Sequence, residues 1–319
     1  MKVLSFLPLL MRQSCLYPSR LTSALVRATA LELVILAGHL LIYPTGMTPE
    51  RRLPTAPPGP GHEAGPENGP ETAGDRQSPG HPDSPGHPDT PHATLSATGT
   101  TALPARSLDR PPVVLLHGFI DNRSVFVLLR RSLARHGWRH LESLNYSPLT
   151  CDIRTAAELL DRHVEEICAR TGHTEVDIVG HSLGGLIARY YVQRLGGDRR
   201  VRTLVTLGTP HGGTAAAPLA GAHPIVRQMR SGSPLIEELR RPAPGCRTRF
   251  ISFWSELDRV MLPVETACVD HPDLDAQNVR VTGIGHLALP VHPAVAAAIR
   301  QALESDDTVI GTQGASSVA

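Results

Sequence analysis

The sequence predicts an α/β protein whose mostly parallel sheet is flanked by helices, with that domain confined to residues 111–305. Three observations carry the prediction. From Val113 onward, short apolar runs of β-favouring residues alternate with segments of helical periodicity, as a parallel sheet with crossover helices requires. One run, Val176-Asp177-Ile178-Val179, ends in Gly180-His181-Ser182-Leu183-Gly184-Gly185 and passes at once into the helix-compatible Leu186-Ile187-Ala188-Arg189-Tyr190-Tyr191-Val192. Composition also breaks near residue 111, because the chain's 29 prolines crowd the part ahead of it. The remaining ~190 residues are enough to bury one core.

The elements follow in order. Val113–Leu116 reads as a short, fully apolar strand that ends at His117-Gly118-Phe119. Residues 124–135 read as a helix with Gly137 as its stop, and 141–146 as the next strand. Asp152 caps a long helix whose Ile153, Ala157, Leu160, Val164 and Ile167 recur at helical spacing. The strand–turn–helix around Ser182 comes next, then Val201–Leu207 as a buried strand. Residues 248–254 and 279–284 are two more strands, and 293–303 the closing helix. Asp270, Asp273 and Asp275 fall in a polar stretch and read as solvated turn residues. The segment from Thr214 to Gly245, with Leu235-Ile236-Glu237-Glu238-Leu239 inside it, reads either as a cap over the site or as an ordinary crossover helix.

Residues 1–43 are expected to be a targeting or membrane-anchor segment. Their main apolar stretch, 28–43, follows Arg20 and Arg27 and contains Glu32 and His39, so it is short and impure for a membrane span. It suits the core of a signal peptide or a signal anchor; the alternative is an amphipathic helix packed on the domain. Basic residues ahead of it place the domain on the extracellular face of the membrane or in secreted form. Residues 44–110, rich in Pro, Gly, Thr and Ser, carry the hexapeptide Ser-Pro-Gly-His-Pro-Asp twice, at 78–83 and 84–89. That is the composition of a disordered linker. Residues 306–319 read as a flexible tail. Net charge is +1 and aromatic content 4%, which excludes the basic, stacking surface that nucleic acid selects. Five cysteines cannot all pair. Cys246 and Cys268, which flank one strand and its loop, are the candidate disulfide of an exported chain.

Gly-x-Ser-x-Gly between a strand and a helix is the pattern of a nucleophile elbow. The turn is so tight that the positions two before and two after the serine must lack bulk, and Gly180 and Gly184 supply that. A nucleophilic Ser182 requires a base, and the base an orienting acid, here expected after later strands in the order serine, acid, histidine. Asp258, at the head of Asp-Arg-Val-Met-Leu-Pro, is the candidate acid, with Glu256 as its rival. Among His271, His286 and His292, His286 is the candidate base, because it ends a strand in the glycine-flanked Gly283-Ile284-Gly285-His286. A tetrahedral oxyanion needs backbone N–H donors, one from the residue after the nucleophile. Those are assigned to Leu183 and Phe119. His117 and His211 read as loop-shaping residues, and His181 as a variable position of the elbow.

The blocks His117-Gly118-Phe119, Gly180-His181-Ser182-Leu183-Gly184-Gly185, Gly208-Thr209-Pro210-His211-Gly212-Gly213 and Gly283-Ile284-Gly285-His286 resemble those of bacterial triacylglycerol lipases and esterases of the α/β-hydrolase superfamily. The resemblance covers residues 111–303. It implies the α/β-hydrolase fold and hydrolysis of carboxylic esters through an acyl-serine, with Ser182, Asp258 and His286 as serine, acid and histidine. It also implies an ester or lipid as substrate. Some relatives bind calcium near the histidine loop; no clear carboxylate set stands here, so no metal and no cofactor is carried over. An acyltransferase or thioesterase using the same triad is the alternative within the fold, and a non-catalytic binding protein the alternative outside catalysis.

Overall fold

A computed structural model describes residues 23–42, 110–146, 152–216, 223–305 and 317–318. Contacts divide the chain into two units, residues 1–48 with 108–319 and residues 49–107. The linker expected at 44–110 lies outside the described residues except for Arg110, as do Cys15 and Cys151 and most of the expected tail.

The described sheet contains seven strands: β1 Val113–Leu116, β2 Leu141–Leu144, β3 Val176–His181, β4 Val201–Leu207, β5 Arg249–Ser255, β6 Asp275–Val281 and β7 Ser317–Val318. Their spatial order is β2-β1-β3-β4-β5-β6-β7 and every pairing is parallel. The α/β-hydrolase expectation of a mostly parallel sheet is met. β1 and β3 are buried at every position, which is why β1 reads as an unbroken apolar run and β3 as one interrupted by Asp177, which pairs with Arg202. Period-2 alternation then splits the core in two. Val114, Leu116, Ile178 and Leu204 face one side; Val113, Leu115, Val179 and Val205 face the other.

The first layer is covered by α3 (Ile153–Thr171), α4 (Leu183–Arg194) and two short helices between β4 and β5, α5 (Pro224–Gln228) and α6 (Pro234–Leu239). The second is covered by α2 (Val127–Arg135), which follows a 3-10 turn at Arg123–Phe126, and by α7 (Pro293–Glu304). α3 starts where its sequence says: the Asp152 carboxylate accepts from the Thr155 N–H at 2.8 Å, and Gly172 at φ 74° ends it. Leu235, Ile236 and Leu239 are buried in the first core, so the apolar piece at 235–239 is a packed crossover helix.

Three expectations are corrected. β6 begins at Asp275, four positions ahead of the expected start, because its ladder to β5 pairs Asp275 with Arg249. Asp275 is exposed and Ala276, Gln277 and Asn278 are only half-buried, so this stretch carries little apolar signal. Ser317–Val318, expected to fray, pairs with Arg280–Val281. Cys246 and Cys268, the candidate disulfide, are both free thiols. The carbonyl of Ala267, next to Cys268, accepts from Ser252 in the middle of β5, whereas Cys246 precedes the strand. Several residues at about 3.3 Å rise separate the two, more than a disulfide spans.

The N-terminal segment contributes a 20-residue helix, α1 (Ser23–Ile42). Ala28 is buried and Ile35 packs against the second core. Among the described residues no helix is long and apolar enough to cross a membrane. Ala28 and Ile35 are the points at which α1 rests on the domain.

Candidate active site

The site gathers at the C-terminal ends of β1, β3, β4, β5 and β6, where their loops converge. Ser182 has φ 51° and ψ −116°, and among the described residues it is the one non-glycine with positive φ. Such a backbone persists only where its surroundings over-determine it, and three glycines do so here. A Cβ on Gly180 would lie 2.6 Å from the Gly185 nitrogen, one on Gly184 2.2 Å from the Leu116 carbonyl, and one on Gly185 1.9 Å from the Thr209 hydroxyl. The Ser182 N–H donates to Leu207 and its carbonyl accepts from Thr209 Oγ1 at 3.0 Å, fixing the turn against β4. Ser182 occupies the N-cap position of α4 without using its hydroxyl as a cap. The hydroxyl thus stands at a helix N-terminus, where negative charge is favoured.

His286 and Asp258 meet. Nδ1 of the histidine lies 2.7 Å from Asp258 Oδ2, and both side chains are almost fully buried. Oδ1 of the same carboxylate accepts from the N–H groups of Val260 at 2.8 Å and Met261 at 3.0 Å, which fixes its plane. A carboxylate only accepts, so the His286 Nδ1 carries the proton and Nε2 is left as the basic nitrogen. Burial pushes His286 down, but the Asp258 charge and hydrogen bond outweigh it and hold the imidazole above its ordinary value. Gly208, at φ 54°, makes room for the pair: a Cβ there would lie 2.9 Å from His286 Nδ1 and 3.0 Å from Asp258 Oδ2. Glu256, the rival acid, is turned to the surface and pairs with Arg280.

The loop after β1 closes against the elbow. A Cβ on Gly118 would stand 3.4 Å from Ser182 Cβ, 3.2 Å from His181 Nδ1 and 3.1 Å from Asp121 Oδ2, so the His117-Gly118-Phe119 backbone packs closely on the elbow. His117 is buried, stacks on Tyr146 at 4.3 Å and bonds through Nδ1 to the Gly118 carbonyl at 2.9 Å. Burial lowers its pKa, so it is a neutral brace for the loop. His211 is buried with Nε2 3.0 Å from Thr206 Oγ1, and burial, helped by the Arg189 charge, holds it well below its ordinary value. His271 bonds to the Arg241 carbonyl at 3.0 Å and takes no part. His292 stands at the N-cap position of α7 without a side-chain cap bond.

Three residues of this cluster escaped the sequence reading. His181 is no free position of the elbow: its Nδ1 lies 3.0 Å from Asp121 Oδ2 and its Nε2 3.3 Å from the His286 carbonyl oxygen. Its ring stands 4.8 Å from the His286 ring. Asp121, three residues beyond Gly118, gave no signal because the partner that explains it is 60 positions away. Glu32, read as an impurity in an apolar stretch, accepts from the N–H groups of Leu287 and Ala288, each at 3.0 Å. Among the described residues no group of three or more His, Cys, Asp or Glu is arranged to hold a metal ion.

This fold and these blocks define an α/β-hydrolase-fold protein of lipase and esterase resemblance. Residues 112–244 match the family model described as palmitoyl protein thioesterase, a span that holds Gly118 and Ser182 and stops before Asp258 and His286. The chain is 30% identical over 115 residues to a triacylglycerol lipase of Pseudarthrobacter phenanthrenivorans, covering 34% of this chain and 35% of that one. A triacylglycerol lipase of Burkholderia plantarii matches at the same identity over 34% and 32%. The chain thus spans about a third of the length of these curated relatives. Among solved structures, a Bacillus licheniformis lipase in mature form superposes with TM-score 0.53 at 16% identity, covering 61% of this chain and 93% of the other. Lipase B of Aspergillus fumigatus does so with TM-score 0.56 at 16% identity over 62% and 53%. At such identities the superpositions speak for the fold.

Proposed function

We propose that this protein is a serine hydrolase that cleaves carboxylic esters through an acyl-serine intermediate. The observation that carries the reading is a strained serine at a helix N-terminus whose neighbour His181 lies 4.8 Å, ring to ring, from the buried His286–Asp258 pair. His286 Nε2 takes the Ser182 proton as Oγ attacks the ester carbonyl, and Asp258 stabilises the imidazolium that forms. The N–H groups of Leu183 and Phe119 receive the oxyanion. The imidazolium then protonates the leaving alkoxide, and a water activated by the same nitrogen releases the acid. The lipase relatives and the structural neighbours support a lipid or ester substrate.

Thioester cleavage is the second reading, favoured by the match of residues 112–244 to the thioesterase model. The same serine, histidine and oxyanion donors serve both, because the thiolate leaves without needing as much help from the acid. The N-terminal segment, through the exposed Val26, Leu33, Val34 and Leu41 of α1, is proposed to associate with membrane lipid, with the domain outside the cytoplasm.

A fluorophosphonate probe is expected to label wild-type protein on Ser182 and to leave Ser182→Ala unlabelled. Turnover of p-nitrophenyl esters of graded chain length, against acyl thioesters and with alcohols as competing acceptors, separates esterase, thioesterase and acyltransferase. Folded wild-type protein that neither labels nor turns over any of these overturns the reading.

A further inference from the structure

Glu32 lies on α1, 254 positions before His286, yet its carboxylate reaches the loop that carries the histidine. Oε2 accepts from the Leu287 N–H and Oε1 from the Ala288 N–H, so both oxygens grip the two amides that follow His286. Two acceptor oxygens facing two donors is the pattern of the ionised carboxylate. Gly285 completes the seat: a Cβ there would lie 2.7 Å from the Glu32 carboxyl carbon and 2.8 Å from Oε1. The other side of the loop is held too. Ser255 Oγ donates to the Ile284 carbonyl at 2.5 Å, and His181 lies against the His286 carbonyl at 3.3 Å. A carboxylate in a largely apolar helix is costly to bury unless it is paired, and here its partners are the amides of the His286 loop.

We propose that Glu32 is a positioning residue: α1 extends a carboxylate onto the Leu287 and Ala288 amides and thereby fixes His286 over Ser182. The proposal rests on His286 being the base. The charged and titratable groups facing His286 are Asp258 from the loop after β5, Asp121 from the loop after β1, His181 from the end of β3, and Glu32 from α1. Three are carboxylates that favour the imidazolium, and Glu32 is the one contributed from outside the sheet. Burial pushes the Glu32 carboxyl up, opposed by its two amide donors and by His286.

The test uses the full chain with Glu32→Gln, Glu32→Ala, Gly285→Ala and the Glu32→Ala/Gly285→Ala double variant. Glu32→Gln keeps the shape but loses the charge and one acceptor. It is expected to lower kcat about tenfold with KM within about twofold, the pattern of a misplaced catalytic group. Removing the anion also moves the acid limb of kcat/KM, and the His286 ring titration followed by NMR, to lower pH. Gly285→Ala, which pushes on the carboxylate, is expected to lower kcat in the wild-type background and to change it little once Glu32 is alanine. Variants that fold as wild type with unchanged kcat and unchanged His286 titration overturn the proposal, as does a lowered melting temperature with no change in the titration. The NMR titration needs no substrate. If wild type hydrolyses nothing while the titration moves, the ester-hydrolase reading fails and the role of Glu32 stands.

Discussion

The elbow at Ser182 and the loop at His286 face each other across the same site, and they are built in opposite ways. The elbow is specified locally. Gly180, Gly184 and Gly185 lie within three residues of the serine, and each stands where a Cβ would collide with backbone or a neighbouring hydroxyl. The His286 loop is specified from a distance: Asp258 holds the ring, Ser255 and His181 hold carbonyls, and Glu32 holds two amides. A nucleophile that must be strained can be encoded in a short motif. A base that must be placed and electrostatically tuned depends on groups brought in by several elements.

That contrast can be broken in stages. The largest effect is expected for Asp258→Asn, which keeps the shape but favours the wrong histidine tautomer; kcat should fall about 10⁴-fold. Glu256→Gln, on the surface beside Arg280, should leave kcat within a factor of about two, and equal losses in the two variants would reverse the assignment of the acid. Next comes Gly184→Ala, which forces a Cβ into the Leu116 carbonyl. Overpacking of this kind costs about 3 kcal/mol of stability, with loss of probe labelling, and a melting temperature unchanged from wild type would show the elbow less constrained than its geometry indicates. The smallest effect concerns pH. The folded-state pKa of His286 is raised, and the proposed mechanism uses its neutral ring as the base, so kcat/KM should rise with pH through a midpoint above the ordinary 6.5. A midpoint below 6.5 in wild type would mean that burial, not the Asp258 charge, governs the ring.

Much of the fold was legible in the sequence because the central strands are buried on both faces. Val113–Leu116 is a continuous apolar run and Val201–Leu207 a β-favouring one, and both stand within the bounds their sequences predict. The start of β6 was not legible, since Asp275, Gln277 and Asn278 are polar and at most half-buried and the start is set by pairing with β5. Within the site, Ser182 and His286 announced themselves through their glycines. Asp258 was separable from Glu256 only as a preference, because two acids two residues apart look alike until one faces inward. His181 stood in the motif with no sign of its task, and Asp121 and Glu32 stood outside every motif.

The sequence by itself determined the order of strands and helices, the glycines that force the strained serine, and the glycine-flanked loop that carries His286. These depend on patterns that are local or that follow the chain. Tertiary structure alone decided which carboxylate orients His286, left Cys246 and Cys268 apart, and brought Glu32 of the N-terminal helix to the amides beside the base. Those outcomes depend on contacts between residues tens to hundreds of positions apart, whose side-chain chemistry says that a partner is needed without saying which one.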